Sequence, residues 1–211
     1  MERTIVVLAK SFKHWNYCIA GKEINTGAWI RPVSDRIDLE GAVLKENIIC
    51  EDGHEAEILD IVTIDFIRES PTEAQNENLL YDKRCKWKHI GKVGLDEVIG
   101  KFGIDNDSFV FSDNQRFLEK DSLNGRSLMM TEIFNPKIKV TSFPDKNKPT
   151  ICFAYRKNSY SFLSIGDIGL YNTYSSYPSG FYSLGESRIA VFSLTNSYND
   201  GRYYKMLAQL F

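Results

Sequence analysis

The chain has 211 residues, of which 43% are hydrophobic and 13% aromatic, and its formal net charge is −2. This apolar content is enough for a sizeable core, which excludes global disorder, and the near-neutral balance excludes a uniformly basic nucleic-acid coat protein. No apolar run approaches the about 20 residues of a membrane span, and the run after Met1-Glu2-Arg3 is too short for a signal peptide, so a cytoplasmic protein with no membrane partner is expected.

The predicted elements are mostly strands. Thr4–Ala9 is a β-branched run that reads as a buried strand. Asn16–Lys22 and Ala28–Val33 follow as two more, joined by Asn25-Thr26-Gly27, where Gly27 is available for a positive φ. Pro32 places the end of the third strand at an edge or exit. Residues 35–57 are polar and acidic and read as a long loop with short turns. Ile58–Arg68 reads as a long strand, and residues 69–86 as an excursion. Leu95, Val98, Ile99 and Phe102 fall at helical spacing, which predicts a helix over Gly94–Phe102.

Residues 103–125, rich in Asp, Asn, Ser and Gly, mark a boundary between a domain at 1–110 and one at 111–211. Ser127–Met130 opens a strand. In Pro136–Phe143, Ile138 and Val140 alternate with Lys137 and Lys139, the pattern of a half-exposed strand. Thr150–Arg156 and Ser159–Ile165 flank Lys157-Asn158 as a hairpin. Residues 171–185 read as a Tyr/Ser/Gly-rich connection, and Ile189–Leu194 and Tyr203–Leu210 as the last strands. Five strand candidates in each half give a mainly β fold of two small five-stranded barrels in tandem, with one or two short helices.

Charge is uneven. Residues 1–36 carry six bases against three acids, 37–82 two against thirteen, 83–101 six against two, 102–136 three against six, and 137–157 six against one; residues 158–211 balance. A fold that gathers the basic stretches on one face would attract phosphate despite the net charge. The cysteines Cys18, Cys50, Cys85 and Cys152 form no C-x-x-C pair, and His14, His54 and His89 lack H-x-x-x-H spacing. Cys85 and His89 are a metal-compatible four apart, but no second pair accompanies them, so free thiols and no metal site are expected.

Candidate contacts come from cations beside aromatic rings, since a single strand needs phosphate partners and stacking surfaces. Trp29 and Arg31 share a strand face. They form either a base-stacking platform or a core indole with a rim guanidinium. Lys10, Ser11 and Lys13 leave the first strand, and Lys86, Trp87 and Lys88 lie in the dense run Lys83–His89, which reads equally as a platform or as an anchored loop. Tyr203 and Lys205 share the face of the last strand opposite Tyr204, Met206, Ala208 and Leu210, which read as core. Tyr171, Tyr174, Tyr177, Phe181 and Tyr182 form either a recognition surface or a packed lid. No G-x-S-x-G, Walker, H-E-x-x-H or dinucleotide pattern occurs, so no catalytic residue and no cofactor are expected.

Val6–Ser11, Cys18–Gly21 and Gly27–Ser34 together resemble the opening of the bacterial dual OB-containing domain. Gln75–Asn78 with Trp87 resembles its middle. Ser127-Leu128, Gly166-Asp167, Ser193-Leu194 and Tyr204–Ala208 resemble its second half, with Gly166 standing where a Thr-Asp pair is expected. The resemblance covers nearly the whole chain. It implies two oligonucleotide/oligosaccharide-binding barrels and a nucleic-acid recognition role in defence against phage, and it carries over no catalytic residue. The leading expectation is therefore a non-enzymatic module that binds single-stranded RNA or DNA. The alternatives are a metal-dependent nuclease or nucleotide hydrolase using the acidic 38–82 segment, and a protein-interaction subunit of a larger complex.

Overall fold

A computed structural model describes residues 1–13 and 15–211. The chain divides into two compact units. The first comprises Met1–Thr72 and Asn76–Gly103, the second Glu73–Gln75 and Ile104–Phe211. Among the described residues no helix is long and apolar enough to cross a membrane.

The first unit holds β1 (Glu2–Lys13), β2 (Asn16–Glu23), β3 (Trp29–Val33), β4 (Asp60–Glu69), β5 (Asn78–Tyr81), β6 (Lys88–Lys92) and α1 (Leu95–Phe102). The strands pair in the order β1-β2-β3-β5-β4, and β4 returns to β1, so the sheet closes into a five-stranded barrel. The β3–β5 pairing is parallel, and β6 adds to β4 outside the ring. The apolar run expected as a buried strand is buried: Ile5, Val7 and Leu8 pack inside with Ile19, Val62, Ile64 and Phe66. At Gly21 the neighbouring strand approaches so closely that a Cβ would fall 2.1 Å from the Val6 carbonyl oxygen. Gly27 takes the expected positive φ, 70°, and Glu23 fixes that turn by accepting hydrogen bonds from the Asn25 and Thr26 amides at 3.1 and 2.7 Å. Helix α1 ends on Gly103, whose φ of 67° suits a residue without a Cβ and whose amide donates to the Ile99 carbonyl.

The second unit holds β7 (Phe117–Leu118), β8 (Leu128–Ser142), β9 (Asn147–Tyr155), β10 (Asn158–Ile165), α2 (Ile168–Ser175), β11 (Gly180–Ser183), β12 (Ser187–Leu194) and β13 (Tyr203–Leu210). Its order, β8-β9-β10-β13-β12 with β12 closing on β8 and a parallel β10–β13 pairing, repeats that of the first. Met129, Ile133, Ile138, Val140, Ile151, Phe153, Phe192 and Leu207 fill the barrel. From the segment 73–75, Ala74 joins this core and the Gln75 side chain donates to the Leu194 carbonyl at 2.9 Å.

Several expectations need correction. Ser127–Met130 and Pro136–Phe143 are parts of one strand, β8, interrupted where Asn135 takes φ 49° and the pairing to β9 shifts. The excursion at 69–86 contains β5, and the end of the basic run Lys83–His89 enters β6. The connection at 171–185 contains most of α2 and all of β11. Asp167 starts α2 by accepting from the Leu170 amide at 2.9 Å, and its other oxygen accepts from the Leu210 amide at 3.0 Å. Tyr171, Tyr174 and Tyr182 pack against the barrel core as the lid alternative describes, while Phe181 is exposed.

Candidate nucleic-acid interface

The first barrel spends its basic residues on its own carboxylates. Lys10 is buried on β1, and its Nζ donates to Glu55 Oε1 and Glu57 Oε1, both at 2.8 Å, and to the Ala56 carbonyl at 2.9 Å. Burial opposes its charge, but the two carboxylates outweigh burial and hold its pKa above the ordinary lysine value. Ser11 is buried beside it. Lys13 pairs with Glu40 at 2.7 Å, and His14 lies outside the described residues. The buried Arg31 reaches Glu77 Oε1 through Nε and Nη2 at 2.9 and 2.8 Å. Trp29 is half-buried, with Lys22 Nζ 5.4 Å from its ring centre. Trp87 is 1% exposed and meets Tyr81 edge-on, the anchored-loop arrangement. Lys83 pairs with Asp35, Arg84 with Asp82 and Lys88 with Glu2, whereas Lys86 is exposed and makes no ion pair among the described residues. The acids of residues 37–82 thus neutralise much of the neighbouring basic stretches.

On β13 the expected faces are reversed over residues 203–207, while Ala208 is buried and Leu210 packs against the core as expected. Tyr203, Lys205 and Leu207 point inward, and Tyr204 and Met206 are only partly buried. The Tyr203 hydroxyl donates to Glu73, and this hydrogen bond holds the phenol's pKa above its usual value. Lys205 is fully buried, with Nζ 2.7 Å from both the Asp113 carbonyl and Asp113 Oδ1. Burial lowers its pKa and Asp113 offsets part of that. A lysine takes a core position here because both oxygens satisfy its ammonium. Neither side chain offers a surface to a ligand.

The third basic stretch behaves differently. Lys137 and Lys139 stand two apart on β8, so they share a face and lie about 6.6 Å apart along the strand. Directly opposite them are Cys152 and Thr150 on β9 and Ser183 and Phe181 on β11, and Lys148 lies opposite Thr141. Ile138, Val140 and Ile151 occupy the other, buried face. The outer face of β11-β8-β9 therefore carries Lys137, Lys139 and Lys148 with no acidic residue among these positions. Among the described residues none of the three lysines has an ion-pair partner. Lys139 Nζ sits 4.6 Å from the centre of the Phe181 ring, which is 60% exposed. The hairpin between β8 and β9 adds exposed Phe143 and Lys146, with Asp145 between them. The signal for this face was the count of six bases against one acid over 137–157, combined with the Lys/Ile/Lys/Val alternation.

A second aromatic surface, on the first barrel, also lay outside the expected residues. Phe12 stacks on Tyr17 at 5.1 Å, and Trp15 at the β1–β2 turn is 91% exposed.

Residues 3–210 match the sequence profile of the dual OB-containing domain. No curated protein and no solved structure matches the chain.

Proposed function

Because the chain belongs to the dual OB-containing domain family, we propose that it is a nucleic-acid-binding module that takes single-stranded RNA or DNA along the outer face of β11-β8-β9. The observation that carries this reading is the set of three lysines without carboxylate partners among the described residues, placed around an exposed Phe181. Unpaired ammonium groups can exchange counterions for phosphates without first breaking an ion pair, and an exposed ring gives a base something to stack on. Single strands suit this arrangement because their bases are free to stack. The position overlaps the usual OB surface in part. OB barrels bind through the face of their second and third strands and through loops that include the one joining the first and second; here Lys148 on β9 and Lys146 in the β8–β9 turn lie on that surface, while Lys137, Lys139 and Phe181 extend it onto β8 and β11. Of the residues expected from sequence, Lys86 remains an exposed phosphate candidate and Trp29 a partly open ring. Lys10, Ser11, Arg31, Trp87, Tyr203 and Lys205 act as scaffold in this reading, and Lys13 and Lys88 would have to leave carboxylate partners to bind.

The test is fluorescence anisotropy with labelled single-stranded DNA and RNA at low and moderate salt. Binding that weakens with salt and is lost in Lys137→Gln/Lys139→Gln/Lys148→Gln supports the reading. No binding of either strand at low salt overturns it.

A further inference from the structure

We infer that His54, Asp60 and His89 of the first barrel form a binding site for one divalent first-row transition-metal ion, with zinc the best match to the donor set. Three separate places in the sequence meet here. His54 lies in the loop before β4, Asp60 is the first residue of β4, and His89 is on β6, where it pairs with Val62. One donor atom from each lies within 4.8 Å of the others. Cys85, the partner that spacing alone suggested for His89, is not part of this grouping.

Two buried atoms carry the inference. The Asp60 side chain is 1% exposed. Its Oδ2 accepts from the Glu57 amide at 2.8 Å and is 2.6 Å from His54 Nε2, but its Oδ1 has no hydrogen-bond partner among the described residues. His89 Nε2 is likewise buried and without a hydrogen bond, and it faces Asp60 Oδ1 at 3.9 Å. That gap is too long for a hydrogen bond. His89 Nδ1 lies 3.4 Å from Asp52 Oδ2, a carboxylate placed to accept a hydrogen bond from Nδ1–H and so keep the Nε2 lone pair directed at Asp60. A neutral imidazole nitrogen and a carboxylate oxygen are both electron-pair donors. Burying them face to face is unfavourable unless a cation lies between them.

Lys92 supplies some positive charge, but its Nζ is 3.8 Å from Asp60 Oδ1, beyond hydrogen-bonding reach, and its side chain is 60% exposed. A metal ion satisfies both atoms. Two imidazoles and one carboxylate are a zinc donor set, and three protein donors leave a fourth position for water. The imidazole rings are stacked, with centres 4.1 Å apart and planes 22° apart. Zinc–nitrogen bonds of about 2.0–2.1 Å require them to fan open so that both lone pairs meet one ion. Ion binding therefore changes the ring geometry, which gives a spectroscopic readout.

The full chain, freed of metal by chelator dialysis, is titrated with zinc chloride by calorimetry and with cobalt(II) by visible absorption. The expected result is one ion per chain. Cobalt should give the intense visible bands of a four-coordinate site, and the His54 and His89 ring resonances should shift together with zinc. His89→Ala should weaken binding at least tenfold, with an unchanged urea-unfolding midpoint as the check on folding, and Lys92→Met should tighten it by removing a competing cation. No zinc uptake by the wild-type chain overturns the inference, as does stoichiometric uptake that persists in the folded His54→Ala/His89→Ala variant.

Discussion

Replacing Lys137, Lys139 and Lys148 together by Gln probes the interface through its salt dependence. Each cation that neutralises a phosphate of a single strand contributes about −0.7 to the slope of log K against log salt concentration, so removing three should flatten the slope by about 2. Between 50 and 200 mM salt, a slope change of about 2 corresponds to a roughly 16-fold difference in how far affinity falls. The three lysines make no ion pair among the described residues, so the full contribution of each is available. Lys13 and Lys88 pair with Glu40 and Glu2 and would exchange one anion for another. Lys13→Gln/Lys88→Gln should therefore leave the slope unchanged. The assay is anisotropy at four or five salt concentrations, with urea denaturation confirming that the surface variants stay within about 0.5 kcal/mol of the parent. A triple variant that binds with the parental slope, or a larger change from the Lys13/Lys88 variant, would refute the reasoning.

Other consequences concern the scaffold. Asp113→Ala leaves the buried Lys205 ammonium with only the residue-113 carbonyl, and should cost about 2–3 kcal/mol in urea unfolding. Lys205→Met removes the buried charge and frees a partly exposed carboxylate, so it should fall within about 1 kcal/mol of the parent; equal losses in the two variants would contradict this asymmetry. Trp87→Ala removes a 1% exposed indole from the first barrel and should cost about 3–5 kcal/mol, whereas a loss below about 1 kcal/mol would place the ring outside the core. Burial raises the pKa of Tyr81 and of Tyr160 to about 12, against an ordinary value of 10.0. Between pH 10 and 12 the unfolded chain has therefore lost tyrosine protons that the folded chain retains, and stability present below pH 10 falls as pH rises across that window. Urea midpoints that stay constant from pH 9.5 to 11.5 would contradict this.

The barrel framework was legible because it rests on local pattern: β-branched runs such as Thr4–Ala9 and the alternation in Pro136–Phe143. The joins were harder. Asn135-Pro136 reads as a break, yet β8 passes through it with a shift of register. Helix α2 lacks an apolar stripe, and its start depends on Asp167, whose second partner is 43 residues away. The candidate site was the least legible part. Lys10 looks like a free loop cation until Glu55 and Glu57 close on it from 45 and 47 residues away. Over residues 203–207 the phase of β13 is opposite to the one alternation suggests, because Asp113, 92 residues away, supplies the oxygens that let Lys205 turn inward. The Lys137/Lys139 face needs no distant partner, so its signal lies in charge counting and strand alternation, yet the candidate contacts drawn from the sequence include none of its lysines. His54, Asp60 and His89 have no motif spacing because a strand pairing brings them together.

The most direct test of the proposed interface is photocrosslinking of the full chain to a single-stranded oligonucleotide, with the linked peptides identified by mass spectrometry. The proposal predicts crosslinks within residues 137–148 and 180–183, with Phe143 and Phe181 as the principal aromatic sites. Crosslinks confined to the peptides bearing Trp15, Trp29 or Lys86, with none on the second barrel, would contradict it.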